Sequence, residues 1–466
     1  MNRYMLPESG QSPEVLLETL RARRQGGPDW EGGRLFSLVY HYDEAHLALQ
    51  REAFGLFLAE NTVNPFLFPG LRQMEQEVVD IGLELSSAPA GAAGLMTSGG
   101  TESIFLSLLA WRDRAWRQPG GRQRRELLAA ANLHPAFDKA AHYLGLELRR
   151  VPVAADHRAD PAALRRAISR RTLLIAASAP SYPHGLIDPI PEIAALAAEA
   201  GLPLHVDACL GGFLLPWAEQ LGISLPAWDF RLPGVASLSA DLHKFGFAAK
   251  GASLLLYRDA EMIGHQVFVR SDYPGGIYAS ALFQGSRSGG AVAAAWASLH
   301  HLGRRGYLEM AGRLVEGGRQ LRAALSEMPQ IAWVGDPQLN IQAYATPGGP
   351  DIFAVAERLA QKGWLPDRQQ FPPSIHVALM PQHLPHIEAY AADVAEALAW
   401  AEAHPEASGS GEAALYGLSA RLPWRGPVEQ QVRQRIASAY APAPSSAKPA
   451  PGWIGWINRA LMRWGR

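Results

Sequence analysis

Between residues 127 and 257, short apolar runs alternate with helical segments, and this limits the fold more than any other feature of the chain. Leu127–Asn132, Thr172–Ala177, Leu204–Val206, Val235–Leu238 and Ser253–Tyr257 have the length and aliphatic content of buried strands. Pro135–Leu144 and the alanine-rich Pro191–Ala200 read as helices between them. Strands joined by helical crossovers form a mostly parallel, doubly wound α/β sheet. Ligands of such sheets lie beyond the carboxyl ends of the strands, so the residues just after these runs are where chemistry is expected.

Lys244 is one of them. It lies in Ser239-Ala-Asp-Leu-His-Lys-Phe-Gly-Phe-Ala-Ala-Lys-Gly251, between two of the runs. A lysine on a tight loop between buried strands is a costly place for a charge. Burial is expected to lower its pKa, and a neutral amine is a nucleophile, so Lys244 is the candidate Schiff-base lysine. Asp207 directly follows Leu204–Val206. Alone, such an aspartate marks a turn more often than a site. With a nucleophilic lysine downstream it gains a chemical reading, because pyridoxal phosphate needs a carboxylate against its pyridine nitrogen to act as an electron sink.

Ser98-Gly99-Gly100-Thr101 sits in a glycine-rich turn, residues 91–103, before an apolar helix from Ile104. Glycines let the backbone approach a phosphate, and a helix start offers free N–H groups and positive potential. Gly99, Gly100 and Thr101 are therefore candidate phosphate contacts. Ser98 or Thr101 as a plain N-cap is the competing reading. His134 follows a strand and opens a helix, where an imidazole can stack on a cofactor ring, and His243 can reach its phosphate. Gly285-Ser286-Arg287, before another helix, has the look of a second small anion site. Lys250 and Tyr278 are polar residues in apolar or glycine-rich surroundings; for Lys250 a surface lysine with its stem laid along apolar groups is the alternative.

Composition narrows the classes. The 43 basic and 44 acidic residues leave a formal charge of −1, without the basic excess of a nucleic-acid binder. Cys209 is the single cysteine, so no intrachain disulfide forms and a reducing compartment fits. The N-terminus has no apolar core of a signal peptide, and no apolar run reaches 18 residues, so the expected setting is the cytoplasm. There is no HExxH, Gly-x-Ser-x-Gly or Walker loop, and no regular metal-ligand spacing.

Four segments are expected: an N-terminal arm and helix (1–70), a large domain (71–318), a smaller C-terminal α+β domain (319–440), and a Pro/Ala linker with a Trp/Arg tail (441–466). A Gly/Ser break is expected over 405–412. In the tail, Trp453, Trp456, Ile457, Ala460, Leu461 and Trp464 share one helical face, with Arg459, Arg463 and Arg466 on another. That is the pattern of an interfacial helix, a candidate peripheral membrane contact through 453–466. A helix docked on the protein's own surface or on a partner subunit is the stronger reading.

Several stretches together resemble one family. Met96-Thr-Ser-Gly-Gly-Thr-Glu-Ser, His205-Val-Asp-Ala-Cys-Leu-Gly-Gly-Phe and the Ser239–Gly251 stretch are similar to the sphingosine-1-phosphate lyases, in the group II decarboxylase branch of fold type I pyridoxal phosphate enzymes. Ser178-Ala-Pro-Ser-Tyr-Pro-His-Gly, Gly275-Gly-Ile-Tyr-Ala-Ser with Gly285-Ser-Arg, Gln370-Phe-Pro-Pro-Ser-Ile-His and Ala414-Leu-Tyr-Gly-Leu match as well, so the likeness runs from about residue 30 to 440. It implies a seven-stranded, mostly parallel sheet and pyridoxal 5′-phosphate as cofactor. By this resemblance Lys244 carries the cofactor, Asp207 faces its pyridine nitrogen, His134 stacks, and Gly99, Gly100, Thr101 and His243 meet its phosphate. The resemblance also implies an obligate homodimer with composite sites, in which Gly285 and Ser286 reach the neighbouring subunit's cofactor and Tyr278 enters the partner's site. Lys250 resembles a second, substrate-facing lysine. Asn61, Asn64 and Tyr182 are the candidate substrate residues. Asn64 stands where the family pattern has a histidine, which removes a cationic ligand from the substrate-phosphate loop.

The implied reaction is retro-aldol cleavage of a phosphorylated long-chain amino alcohol to a fatty aldehyde and phosphoethanolamine, with Lys250 or Tyr278 as the proton-transfer group. Decarboxylation of an L-amino acid is the alternative with the same cofactor. A non-catalytic scaffold on the same fold is disfavoured by the complete Lys, Asp, His and Gly set.

Overall fold

The computed structural model describes residues 5–441 except 65, 410–412, 414, 415, 418, 419 and 421–425. The tail and its amphipathic pattern lie outside the described residues, as does most of Ala414–Leu418. Three helices open the chain: α1 (Pro13–Arg24), α2 (Glu44–Leu56) and α3 (Pro69–Leu85). The large domain follows as β1 (Ala93–Thr97), α4 (Gly100–Trp116), β2 (Glu126–Ala130), α5 (Ala136–Leu144), β3 (Glu147–Val151), α6 (Pro161–Ala167) and β4 (Thr172–Ser178). It continues through α7 (Ile190–Glu199), β5 (Leu204–Asp207), α8 (Leu215–Gln220), β6 (Val235–Ala240), β7 (Ser253–Tyr257), α9 (Glu261–Gln266) and the hairpin β8 (Phe268–Tyr273) and β9 (Gly276–Ser280). The long α10 (Gly290–Ser326) leads to β10 (Ala332–Trp333), β11 (Ile341–Ala345), α11 (Ile352–Gln361), β12 (Asp367–Gln370), β13 (Pro373–Ala378), α12 (Ile387–Ala403) and α13 (Gly426–Tyr440).

The large sheet has seven strands in the order β1-β7-β6-β5-β4-β2-β3. Only β7 runs against its neighbours, pairing antiparallel with both β1 and β6. Every residue of β2, β4, β5 and β7 is buried, as expected of strands covered on both faces. The α/β class, the mostly parallel seven-stranded sheet and the smaller α+β body are thus as expected.

Five strands escape the sequence pattern: β1, β3, both strands of the hairpin β8–β9, and β12. The supposed glycine-rich turn at 91–103 contains β1, whose Gly94 lies so close to β7 that a Cβ would come within 2.5 Å of the Leu256 side chain. There the glycine marks close packing rather than a turn. The edge strand β3 is partly exposed and carries Arg149 and Arg150, so it lacks an apolar signature. The hairpin strand β8 is exposed along its whole length, and β12 is a half-buried edge strand. Two further segments also differ from expectation. The N-terminal arm includes the wholly exposed helix α1. The supposed break at 405–412 begins with a 3-10 turn, Pro405–Gly409, in which Ser408 and Gly409 are buried.

The small domain is an antiparallel sheet, β10-β11-β13-β12, beneath α11 and α12. Phe36 from the N-terminal segment packs on its core, 5.8 Å from the Trp364 ring and 4.7 Å from that of Tyr390. The helix α10 joins the two bodies and bends at Gly303, where φ is 55° and ψ −179°. That conformation is nearly closed to residues with a Cβ. Gly303→Val is expected to lower unfolding stability by about 1–3 kcal/mol, read from the denaturant midpoint. An unchanged midpoint contradicts the constraint.

Candidate active site

The carboxyl ends of β2, β4, β5 and β6 and the start of α4 surround one cavity of about 320 Å³. Lys244, Asp207, His134, His243 and Tyr182 line it, together with the Gly99–Thr101 turn. These sequence-predicted residues lie far apart in the chain, and the crossover topology brings them to one edge of the sheet.

Lys244 pairs with Asp241, Nζ to Oδ2 at 3.0 Å. This corrects the expectation that burial alone sets its protonation. Burial draws the ammonium's pKa down, but Asp241, with Cys209, Tyr40 and Asp207 behind it, outweighs burial, and the net shift is upward. Burial pushes Asp241 in turn toward neutrality, and the Lys244 charge holds it below the ordinary carboxylate range. Lys250 shows the opposite balance. The residue stays accessible, but its ammonium donates to the His243 carbonyl at 3.2 Å and lies 4.9 Å from the centre of the Tyr40 ring. Desolvation, and then repulsion from Lys244, bring its pKa down to about 8.

Asp207 accepts from the Cys209 backbone N–H at 3.1 Å and from Ser239 Oγ at 3.3 Å, both on Oδ1. Burial pulls both histidines down, His134 below its ordinary value and His243 to about 4, so each is a neutral ring. His134 Nδ1 accepts from the Ala136 N–H at 3.1 Å, and His243 Nδ1 accepts from the Ala252 N–H at 3.3 Å. No side chain caps α4, which begins after Gly99, so neither Ser98 nor Thr101 is its N-cap. Ser98 instead donates its N–H and Oγ to Glu102, both at 2.7 Å.

These residues fit pyridoxal phosphate. The uncapped helix start faces the cavity. A Cβ at Gly100 would come within 2.6 Å of Cys209 Sγ and 2.8 Å of Asp241 Oδ1, and one at Gly99 within 3.3 Å of His243. The cradle therefore depends on two glycines. Asp241 Oδ1 is buried without a hydrogen-bond partner, beside the amine that would bear the cofactor.

Other candidates lie outside this cavity. Tyr278 is exposed on the hairpin, and a Cβ on Gly285 would lie 3.7 Å from its hydroxyl. Asn61 Nδ2 donates to Ser286 Oγ at 2.9 Å, while Asn64 caps its own turn by accepting from the Phe66 N–H at 3.0 Å. The second anion-site pattern loses its cation: Arg287 is buried and spent on Glu75 at 2.9 Å, the Met96 carbonyl and Thr62.

Sequence reasoning missed three residues. Asp241 lies inside the stretch around Lys244, and its i, i+3 spacing to the lysine was a usable signal. Glu102 ties the glycine turn to the Phe283 N–H at 3.0 Å. Tyr40 comes from the N-terminal segment, and its phenol is pushed up to about 12 by burial. Neither has a local sequence signature.

A lysine, a strand-end aspartate and a glycine-framed helix start around one cavity define a pyridoxal phosphate-dependent lyase of fold type I. Residues 30–341 match the pyridoxal-dependent decarboxylase conserved domain. Sphingosine-1-phosphate lyase 1 of Rattus norvegicus is 38% identical over 447 residues, covering 95% of this chain and 77% of that protein. The sphingosine-1-phosphate lyase of Oryza sativa subsp. japonica is 37% identical over 438 residues, 92% of this chain and 80% of that one. The solved structure of a Burkholderia pseudomallei sphingosine-1-phosphate lyase superposes with a TM-score of 0.86 at 35% identity, covering 95% of this chain and 98% of the other. The chain belongs to the pyridoxal-dependent decarboxylase family and, within it, to the sphingosine-1-phosphate lyases.

The two lysines are expected to titrate apart. In cofactor-free protein, acylation of Lys250, followed by mass spectrometry, should show an apparent pKa of about 8 rather than 10.5, with Lys244 protected to higher pH. Half-reaction of Lys250 near the ordinary value, or a Lys244 that titrates first, contradicts this electrostatic account.

Proposed function

We propose that the protein cleaves the Cα–Cβ bond of a phosphorylated long-chain amino alcohol of the sphingosine-1-phosphate type, releasing a fatty aldehyde and phosphoethanolamine. The observation that carries this reading is the second lysine. Lys250 sits six residues after Lys244, donates to the His243 carbonyl, and has its pKa brought down to about 8. A proton acceptor poised near working pH is what deprotonation of a β-hydroxyl requires. Decarboxylation does not call for one.

Lys244 would hold the cofactor, Asp207 would face its pyridine nitrogen, and the Gly99–Thr101 turn with His243 would receive its phosphate. When bound, pyridoxal phosphate supplies an electron sink for the breaking bond. The protein's own part is proton placement and orientation. Asp241 Oδ2, 3.0 Å from Lys244 Nζ, fixes the position of the amine that would bear the cofactor. Asp207, buried and held in one orientation by Cys209 and Ser239, would present its side chain to the ring nitrogen. His134, neutral and half-buried, offers a flat face without adding charge. Lys250 Nζ takes the hydroxyl proton.

The reading extends to a homodimer with shared sites. Tyr278, Gly285, Ser286 and Asn61 form one contiguous surface outside the chain's own cavity. Exposed Phe268, Val269 and Ile277 on the hairpin, and Phe66 and Leu67 beside Asn61, extend it as an apolar patch of the kind that marks an interface. In this arrangement Tyr278 serves the partner's site, and Asn61 is held in place by Ser286.

Three outcomes are expected. Aldehyde release should be seen with a phosphorylated sphingoid base, and Asp207→Asn should lower kcat by about 10²–10³-fold. Carbon dioxide release from amino acids without aldehyde release would transfer the function to the decarboxylase alternative. Lys244→Ala and Tyr278→Phe, each inactive alone, should regain activity when subunits are exchanged. No recovery from verified mixed dimers contradicts the shared site.

A further inference from the structure

Tyr182 lines the cavity, yet the partner of its hydroxyl lies in the small domain. The hydroxyl donates to Asp367 Oδ2 at 2.6 Å, and Asp367 is the first residue of β12. The loop that carries Tyr182 follows β4 and is gripped by the same small sheet at further points. Gln369 Nε2 donates to the Pro183 carbonyl, and His376 Nδ1 lies 3.2 Å from the same oxygen. The rings of Tyr182 and His376 are 4.6 Å apart. Gly185, at φ +69°, approaches β11 so closely that a Cβ would fall 2.0 Å from the Ile341 carbonyl oxygen. On its cavity side Tyr182 meets His134 edge to face, with ring centroids 6.1 Å apart.

We propose that Asp367 is a positioning residue of this enzyme: by accepting the Tyr182 hydroxyl it sets the tyrosine against His134 and ties the small domain to the cavity wall. A phenol bonded to a carboxylate has a stronger and more directional anchor than one bonded to a neutral acceptor or to water. With the acceptor gone, the ring is free to turn about its side-chain torsions, and the wall beside His134 loses its shape. The charged and titratable groups around the phenol are Asp367, His376, His134, Tyr40 and Lys244. Burial, reinforced by Asp367, raises the phenol's pKa, so Tyr182 keeps its proton and is a donor, not the base of the reaction.

The inference rests on the lyase reading only for its choice of substrate. The test is a double-mutant cycle in the holoenzyme, with Asp367→Ala, Asp367→Asn, Tyr182→Phe and the Tyr182→Phe/Asp367→Ala pair. One readout is kcat/KM for aldehyde release from a phosphorylated sphingoid base. The other is the rate at which the visible absorbance of bound pyridoxal phosphate is lost on dilution, which needs no substrate. Asp367→Ala and Tyr182→Phe should each lower kcat/KM about tenfold, the size of one charge-assisted hydrogen bond, and mainly through KM. The double variant should be no worse than either single one. Asp367→Asn, whose amide oxygen still accepts, should stay within about threefold of wild type, since a neutral acceptor keeps part of the bond. Cofactor loss should quicken in Asp367→Ala and Tyr182→Phe alike, and little in Asp367→Asn. Additive losses in the double variant, or an Asp367→Asn as impaired as Asp367→Ala, overturn the proposal. So does a fall in kcat of about 10³-fold in Tyr182→Phe alone, which would make the phenol a proton-transfer group. If wild type releases no aldehyde, it is the substrate reading that fails, and the cofactor-loss cycle still decides the role of Asp367.

Discussion

The ion pair of Lys244 and Asp241 is the constraint around which the site is built. Taking two charges out of water costs several kcal/mol for each, and the cost is recovered only if they meet in good geometry. That geometry comes from the sheet. β6 runs on to Ala240, which places Asp241 at the first turn beyond the strand, and Lys244 returns to it across that turn at 3.0 Å. α4 must then approach Asp241 closely, and the absence of a side chain at Gly100 permits it. The glycine turn therefore serves two ends. It leaves the helix start open toward a phosphate, and it leaves room for the charge pair beside it.

The same electrostatics separates the two lysines. Lys244 has a carboxylate within contact distance and is held protonated. Lys250 has a carbonyl, an aromatic face and a neighbouring cation, and it gives up its proton readily. Residues of one chemical type, six positions apart, are thus fitted for different tasks by their surroundings alone.

Much of this was legible in the sequence because it is local. Leu204–Val206 followed by Asp207, and the Lys244 loop between two apolar runs, are readable because strand length, burial and the strand-end position of ligand groups go together. Lys244's protonation was misjudged because burial was weighed without its partner, although Asp241 stood three residues away. Tyr40, Glu102 and Asp367 were out of reach for a different reason. Each acts through a contact made by tertiary folding, and nothing in the residues beside it sets it apart. The exposed hairpin was missed because a strand that buries nothing in its own chain carries no apolar alternation. The Arg287 pattern misled because an arginine in a loop before a helix suits an anion site and a buried structural ion pair equally well.

The arrangement of the site turns on which amine bears the cofactor. Borohydride reduction of the holoenzyme, followed by proteolysis and mass spectrometry, fixes pyridoxal phosphate to the lysine that holds it. The peptide containing Lys244 should carry the added mass, with the Lys250 side chain unmodified. The label on Lys250, or on a lysine outside the cavity, would contradict the arrangement described for this site.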